Sequence, residues 1–465
     1  MDTPSNDVQS PPRKLKFLDA TLSTIVMSIG LRWLAVAAAV GVAAIPLWLA
    51  GLMLFFIPLT IATGELTSRF EGEGGIYIWT RASFGPLAGF LCGLFYWFSN
   101  LPYFAGILYF VSGLLLTATG ADQHNTSLFI GVSVALLIAL VVVQFAGLVV
   151  SKWLPNLGTA GAWIIFAGIA AIAGVLFARG QSATQFATSS YLPPLNFDGA
   201  ILFGVIIGAY SGSEAVAFLR DEIEGGVRTI LRVLLFVGIA GAIFYVLGTA
   251  AMLVILPSSQ MSRLGGFADV LHAIFTRIGL PGLEPAALVF LAASLIGGFT
   301  GWFSAATRLL MSVGEDHYLP GVFARRSSKT GAPVVAILFQ AALIVVMLVL
   351  GQAGASAAVA YDFLVSMGIL TNTVCYVFLF AAYLRSTRSA APDGGWRPAG
   401  GRTAGMLIGA AGMVASIVGI ACTLAPGASD HAPLQTFLKL VVSASVLTAA
   451  GLVLFWIGNR KLATA

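Results

Sequence analysis

The chain has 465 residues, 58% of them hydrophobic and only 9% charged, with a formal net charge of +5 and a mean hydropathy of +0.94. A soluble globular domain carries about 25% charged residues, so this composition excludes a surface covered by water. Charge-free runs such as Leu34 to Gly64 and Gly131 to Ser151 reach the ~18–20 apolar residues that cross a hydrocarbon core, and the chain reads as an integral membrane protein in a lipid bilayer.

A polar tail opens the chain, Met1 to Pro12, followed by Arg13, Lys14 and Lys16. No small-residue cleavage pattern follows a short apolar core, so residues 1–16 read as a cytoplasmic tail and not as a cleavable signal. Twelve spans are then predicted at about 17–40, 43–66, 86–118, 127–150, 158–178, 199–219, 230–256, 286–312, 333–352, 361–385, 403–425 and 435–458. Between spans seven and eight, Phe267, Val270, Leu271, Ile274 and Phe275 recur at helical spacing, with Asp269 and Arg277 on the other face. That pattern predicts an amphipathic helix lying over the outer surface. Residues 386–402 are rich in Ser, Arg, Pro and Gly and read as a cytoplasmic linker. It separates a ten-helix unit, 17–385, from a two-helix appendage and short tail, 403–465.

Basic residues in the connections set the expected orientation. With the N-terminus inside, nineteen Lys and Arg fall on the inner side. Four (Arg179, Arg263, Arg277 and Lys439) fall outside, and Arg32 lies within the first span. Both termini are therefore expected in the cytoplasm, and the overall style suggests a bacterial inner membrane.

Cys92, Cys375 and Cys422 all fall in apolar segments, without metal-site or disulfide spacing. His124, His272, His317 and His431 fall in connections, which speaks against intramembrane haem ligation. No pair of acids or metal-ligating histidines is predicted inside the spans, so an intramembrane enzyme is not expected, and neither is a cofactor. Gly72-Glu73-Gly74-Gly75 lacks the Lys-Ser/Thr ending of a phosphate loop, and no strand precedes it. It reads as the short turn into span three. Arg325, Arg326 and Lys329 fit the basic inner face and contacts to anionic lipid.

Substrate sites of many secondary transporters lie where discontinuous helices expose backbone near the midplane. Span one carries Ser28-Ile29-Gly30-Leu31-Arg32-Trp33, and span six carries Gly208-Ala209-Tyr210-Ser211-Gly212-Ser213-Glu214. Small-residue helix packing alone accounts for one such cluster. Two of them, five helices apart and each with a charged residue, point to paired helix breaks in two five-helix repeats.

Four motifs in order then carry a resemblance to a known superfamily. They are Leu18-Asp19-Ala20 at the start of span one, and Gly72-Glu73-Gly74-Gly75-Ile76-Tyr77-Ile78-Trp79 with Phe84-Gly85. Next come Ser211-Gly212-Ser213-Glu214-Ala215-Val216 with Asp221-Glu222-Ile223 and Arg228-Thr229-Ile230. The last is Ala306-Thr307-Arg308-Leu309-Leu310 with Gly314-Glu315-Asp316, Leu319-Pro320 and Pro333-Val334. Over most of its length the sequence resembles the amino acid–polyamine–organocation superfamily. That resemblance implies an all-α membrane fold of five plus five helices in inverted repeat, with two added helices. It also implies transport of amino acids, related amines or other organic ions.

One departure stands out. Where the resembled family has a Gly-small-Gly break, this chain has Gly30-Leu31-Arg32. An arginine at bilayer depth costs about 2.5–3.5 kcal/mol on insertion scales and faces a cavity or a partner. Three readings follow. Arg32 binds a substrate carboxylate, or stands as an internal cation where sodium sits in ion-coupled relatives, near Thr300 and Ser304, or pairs with Glu214 or Glu65. Glu214 reads either as a proton carrier or as an acceptor holding the sixth-span break open. Span five contains no lysine, so the coupling ion (proton, sodium or an exchanged substrate) stays open. The expected substrate-binding set is Ser28, Ile29, Gly30, Leu31, Arg32, Asn100, Tyr103, Tyr210, Ser211, Gly212 and Trp302. Arg32, Glu214, Thr300 and Ser304 form the expected gating and coupling set. Tyr96 is a weaker aromatic candidate, and Ser366, Asn372 and Tyr376 in span ten are polar enough for a gate. The partners expected are a small molecule, a coupling ion and lipid, not nucleic acid. A transporter-like sensor would need a signalling domain that the sequence does not show, and a carrier for organic carboxylates is the alternative within transport.

Overall fold

The computed structural model describes residues 15–70, 75–122, 125–145, 154–192, 197–315, 320–327, 330–352, 356–389, 396–424 and 433–464. The tail up to Lys14, the Gly72-Glu73-Gly74 turn, Lys152, Asp316 and linker residues 390–395 lie outside them.

Among the described residues eleven helices are long and apolar enough to cross a membrane, and one bent pair, taken as a single span, brings the number to twelve. That pair is the first span, α1 (Phe17–Ser28) and α2 (Arg32–Ala38), bent by 48°. Spans two to five are α3 (Ala44–Arg69), α5 (Pro86–Thr119), α6 (Thr126–Phe145) and α7 (Leu154–Ala178). The sixth span is α8 (Phe197–Ala209), a turn, and a 3₁₀ segment, Ser213–Glu222. Spans seven to ten are α9 (Gly226–Ile255), α11 (Glu284–Glu315), α12 (Val334–Gln352) and α13 (Ala357–Ser386), with α14 (Gly401–Thr423) and α15 (Pro433–Thr464) following. The fold is all-α, and a break in span one is matched by a break five spans later, as two five-helix repeats require.

Two short helices lie outside the spans. The amphipathic helix expected near 267–275 is α10 (Gly266–Arg277), which buries Phe267, Val270, Leu271 and Ile274. The turn into span three holds a helix that was not expected, α4 (Gly75–Phe84). Its buried residues Ile76, Trp79, Thr80 and Ser83 recur on one helical face. Gly85, at φ 91°, turns the chain directly into Pro86, the first residue of α5.

Side-chain size decides how closely the spans approach. Spans five and eight cross backbone to backbone: a Cβ on Gly158 would lie 2.5 Å from Gly298 N, and one on Gly297 would lie 2.7 Å from Leu154 O. Span three packs extensively on both span eight and span ten, and the three bury Phe104, Phe299, Tyr361 and Tyr376. The outer helices instead present apolar residues such as Leu407, Val414, Leu434 and Val446 to the surroundings, as lipid requires. The linker residues Trp396 and Arg397 dock on the end of span two. Ser68 Oγ donates to Trp396 O at 3.4 Å, and Arg397 Nε lies 3.4 Å from Glu65 Oε1, which Arg69 also holds at 2.6 Å.

Candidate functional site

The first break lies at Ile29 to Leu31, between α1 and α2. Thr21, Thr24 and Ser28 each donate a hydroxyl hydrogen bond to the carbonyl four residues back, a habit that bends helices. Ile29 is then extended, at φ −104° and ψ 110°. A Cβ on Gly30 would meet the Trp33 ring at 2.9 Å, so a bare α-carbon lets the indole fold against the break. Gly30 N–H, freed from the helix, donates to the Tyr245 hydroxyl at 3.2 Å.

In the sixth span, Gly212 adopts φ 95°, in the left-handed region that glycine supplies without strain. A side chain there would also fall 3.1 Å from Met27 O and 3.2 Å from the Trp302 ring. The two breaks therefore meet at Gly212, Met27 and Trp302, and Trp302 Nε1 donates to Met27 O at 3.0 Å. Tyr245 joins them a second time. Its oxygen accepts from Gly30 N and lies 3.0 Å from Ala209 O and 3.2 Å from Ser28 O, either of which can take its proton.

Glu214 is buried just beyond the second break, surrounded by donors. Gly212 N donates to Oε2 at 2.9 Å, and the Tyr376 and Tyr96 hydroxyls donate to Oε1 at 2.9 and 3.1 Å. Gly212 N also lies 3.2 Å from the Tyr376 oxygen.

A cavity of about 80 Å³ opens between the breaks, lined among others by Ser28, Arg32, Asn100, Tyr103, Ser211 and Asn372. A second, of about the same volume, adjoins it toward Trp163, Phe244 and Phe299, sharing Ile29, Gly30, Arg32, Tyr103 and Trp302 as a wall. Arg32 stands between them, only 4% exposed. Its Cζ lies 4.1 Å from the Trp33 ring centroid and 4.3 Å from that of Tyr103, within cation–π range. Its Nε and Nη1 are buried without a hydrogen-bond partner. Among the described residues no carboxylate pairs with it: Glu65 belongs to Arg69 and Arg397, Glu214 to its three donors, and Asp362 to Arg263 at 3.5 Å.

Of the residues expected to bind, Ser28, Ile29, Gly30, Arg32, Asn100, Tyr103, Ser211, Gly212 and Trp302 gather around the first cavity, and Leu31 lines the second. Tyr210 turns away, its hydroxyl donating to Trp48 O at 3.1 Å. Thr300 and Ser304 line neither cavity; Gln144 Nε2 donates to Thr300 O at 2.9 Å and Ser304 Oγ donates to Gln144 Oε1 at 2.7 Å. The pairing of Arg32 with Glu214 or Glu65 is not found. Tyr245 was not anticipated, because a lone tyrosine in a long apolar helix gives no local sign of its distant partners. A larger cavity, about 1070 Å³, lies around α10 and includes Asp269, His272 and Glu284. It is separate from the breaks.

Comparison with known proteins adds the following. The family model for amino acid permeases matches residues 15–450. An uncharacterized transporter of Legionella pneumophila is 24% identical over 465 residues, covering 96% of this chain and 97% of its own. A probable agmatine/putrescine antiporter of Lactococcus lactis is 22% identical over 449 residues, covering 96% and 95%. The solved structure of a manganese transporter of Eremococcus coleocola, in complex with an aromatic bis-isothiourea substituted compound, shares the fold. Its TM-score is 0.52 at 14% identity, with both chains covered in full.

Proposed function

The chain belongs to the amino acid permease family, and from that premise we propose that it is a secondary active transporter moving small organic ions of amino-acid size by alternating access. Substrate is held between the breaks of spans one and six, with Arg32 as its anchor. The observation that carries this reading is the cavity between the two breaks, walled by a buried guanidinium with two unpartnered nitrogens. A buried polar group without a partner is costly, and intramembrane charges mark substrate and ion paths. A fixed site served alternately from either side by rocking helices accounts for both breaks.

Within this scheme residues 17–385 are the transport core and 403–465 an appendage, joined by the linker at 386–402. Both termini lie in the cytoplasm of a bacterial cell, as the basic connections require. The α10 cavity is then the outer vestibule. Glu214 acts as a strut: its oxygens face three donors, which suits a hydrogen-bond acceptor that keeps the second helix unwound. The driving force is an ion gradient or exchange, because the sequence carries no nucleotide-binding motif.

The test is uptake into proteoliposomes of acidic, neutral and basic amino acids, hydroxy acids and polyamines, against protein-free vesicles. The reading expects saturable uptake of at least one class, accelerated by the same compound preloaded inside or by an imposed ion gradient. Identical traces with and without protein across the panel would refute it.

A further inference from the structure

The unpaired polar atoms of the cavity describe the ligand that would complete it. At one wall stand Arg32 Nε and Nη1, both donors and both without partners. Asn372 Oδ1, from span ten, lines the same cavity and is also buried without a donor. Ser213 Oγ and the Tyr361 hydroxyl are also buried without a partner but line neither cavity, and several other polar groups at the breaks are already engaged. Met27 O takes the Trp302 indole, Gly208 O takes the Ser211 hydroxyl at 2.6 Å, and the Tyr245 hydroxyl serves Ser28 O or Ala209 O. Asn100 Nδ2 is spent on Tyr96 O at 2.8 Å. Glu214, the nearby acid, is saturated by three donors.

Among the described residues lining the cavity, the charge count is therefore one fixed positive charge, with the neutral amide oxygen of Asn372 as the free acceptor. We infer that the preferred ligand is a small organic monoanion, a carboxylate that also bears one neutral hydrogen-bond donor, of the hydroxycarboxylate type. Its carboxylate takes the fork of Arg32 in charge-assisted hydrogen bonds, and its hydroxyl donates to Asn372 Oδ1. A zwitterionic amino acid would leave its ammonium against a neutral amide, beside a guanidinium with no counter-charge. A dication such as putrescine would add two positive charges to a buried positive site, where low dielectric strengthens the repulsion. Room is limited as well, since about 80 Å³ suits a ligand of few heavy atoms.

This assignment rests on the proposed transport function, and the experiment separates the two. The full-length protein in proteoliposomes is challenged with lactate, propionate, alanine and putrescine. Uptake is measured alongside the shift each compound gives in apparent melting temperature. Lactate is expected to bind at least about tenfold more tightly than propionate, which lacks the donor, and than alanine, with no shift from putrescine. The decisive variant is Asn372→Asp, which turns the neutral acceptor into a carboxylate. It is expected to lose lactate and gain alanine, a switch that a merely damaged protein cannot show. Arg32→Lys keeps the charge but loses the fork, and should weaken lactate and propionate together. Alanine or putrescine preferred over lactate by the unaltered protein overturns the monoanion assignment and leaves the transporter reading standing. So does an Asn372→Asp variant with unchanged preference. Failure of every compound in this set and in the wider panel removes both.

Discussion

Replacing Tyr245 with Phe is the sharpest probe of how the two breaks are tied. The ring stays, stacked on Trp48 with centroids 4.2 Å apart and planes 7° from parallel, so the change removes one hydroxyl and little else. That hydroxyl accepts from Gly30 N at 3.2 Å and gives its proton to Ala209 O or Ser28 O. Without it, one amide and one carbonyl lose their partner. A buried unsatisfied group costs about 1–3 kcal/mol, and the adjoining cavity lets water recover part of that. A net loss of about 2 kcal/mol is the working figure, or roughly 30-fold in the population of the joined state. The assay is initial uptake rate against substrate concentration, with apparent melting temperature by heating and size-exclusion. Tyr245→Phe should lower the melting temperature and cut uptake roughly 10- to 30-fold. Wild-type rates together with an unchanged melting temperature would show that the hydroxyl ties nothing.

Three further outcomes are expected. Glu214→Gln puts an amide among three donors that now serve a carboxylate. It should depress uptake at every pH while keeping whatever response to an imposed pH gradient the unaltered protein shows; loss of that response alone would make Glu214 a proton carrier. Glu65→Gln removes the buried carboxylate that holds both Arg69 and Arg397. Breaking such a pair typically costs about 3–5 kcal/mol, so a sharp fall in melting temperature is expected, and protease access at Trp396 should rise; an unchanged cleavage pattern would contradict the docking. At α10, burial pushes the Asp269 carboxyl above its usual 3.8, while hydrogen bonds from Ser262 and the nearby His272 pull it back. A raised folded-state value means stability is present at low pH and is lost as pH rises through that value. Asp269→Asn should therefore raise the melting temperature at neutral pH, by less than about 1 kcal/mol given partial exposure, and the gain should vanish in acid; a gain that grows in acid would reverse the sign.

Much of this architecture is written locally. Runs of apolar residues locate the spans, since the bilayer tests each segment by itself. Ser28 to Trp33 and Gly208 to Glu214 mark the breaks, since glycine and a charge in mid-span are visible without a partner. What cannot be read locally is pairing across the bundle. Tyr245 and Gly30 are 215 residues apart, and Tyr376 reaches Glu214 across 162. Tyr376 could be named as polar and given no place. Thr300 and Ser304 were expected beside an Arg32 standing where sodium sits in ion-coupled relatives, whereas they line neither cavity and bond to Gln144. The linker at 386–402 had the composition of a loop, and only the buried Glu65 at the end of span two explains why Arg397 is fixed there.

Arg32 is where these lines meet, and Arg32→Gln in proteoliposomes tests the account most directly. Uptake is compared for carboxylates and for amines that lack a carboxylate, in the variant and in the unaltered protein at matched amounts of folded protein. The account predicts that carboxylate uptake collapses while amines, poor for the unaltered protein, are no worse or improve once the fixed positive charge is gone. An equal loss for every substrate class, with the melting temperature lowered, would make Arg32 an internal prop of the helix break and place substrate recognition elsewhere.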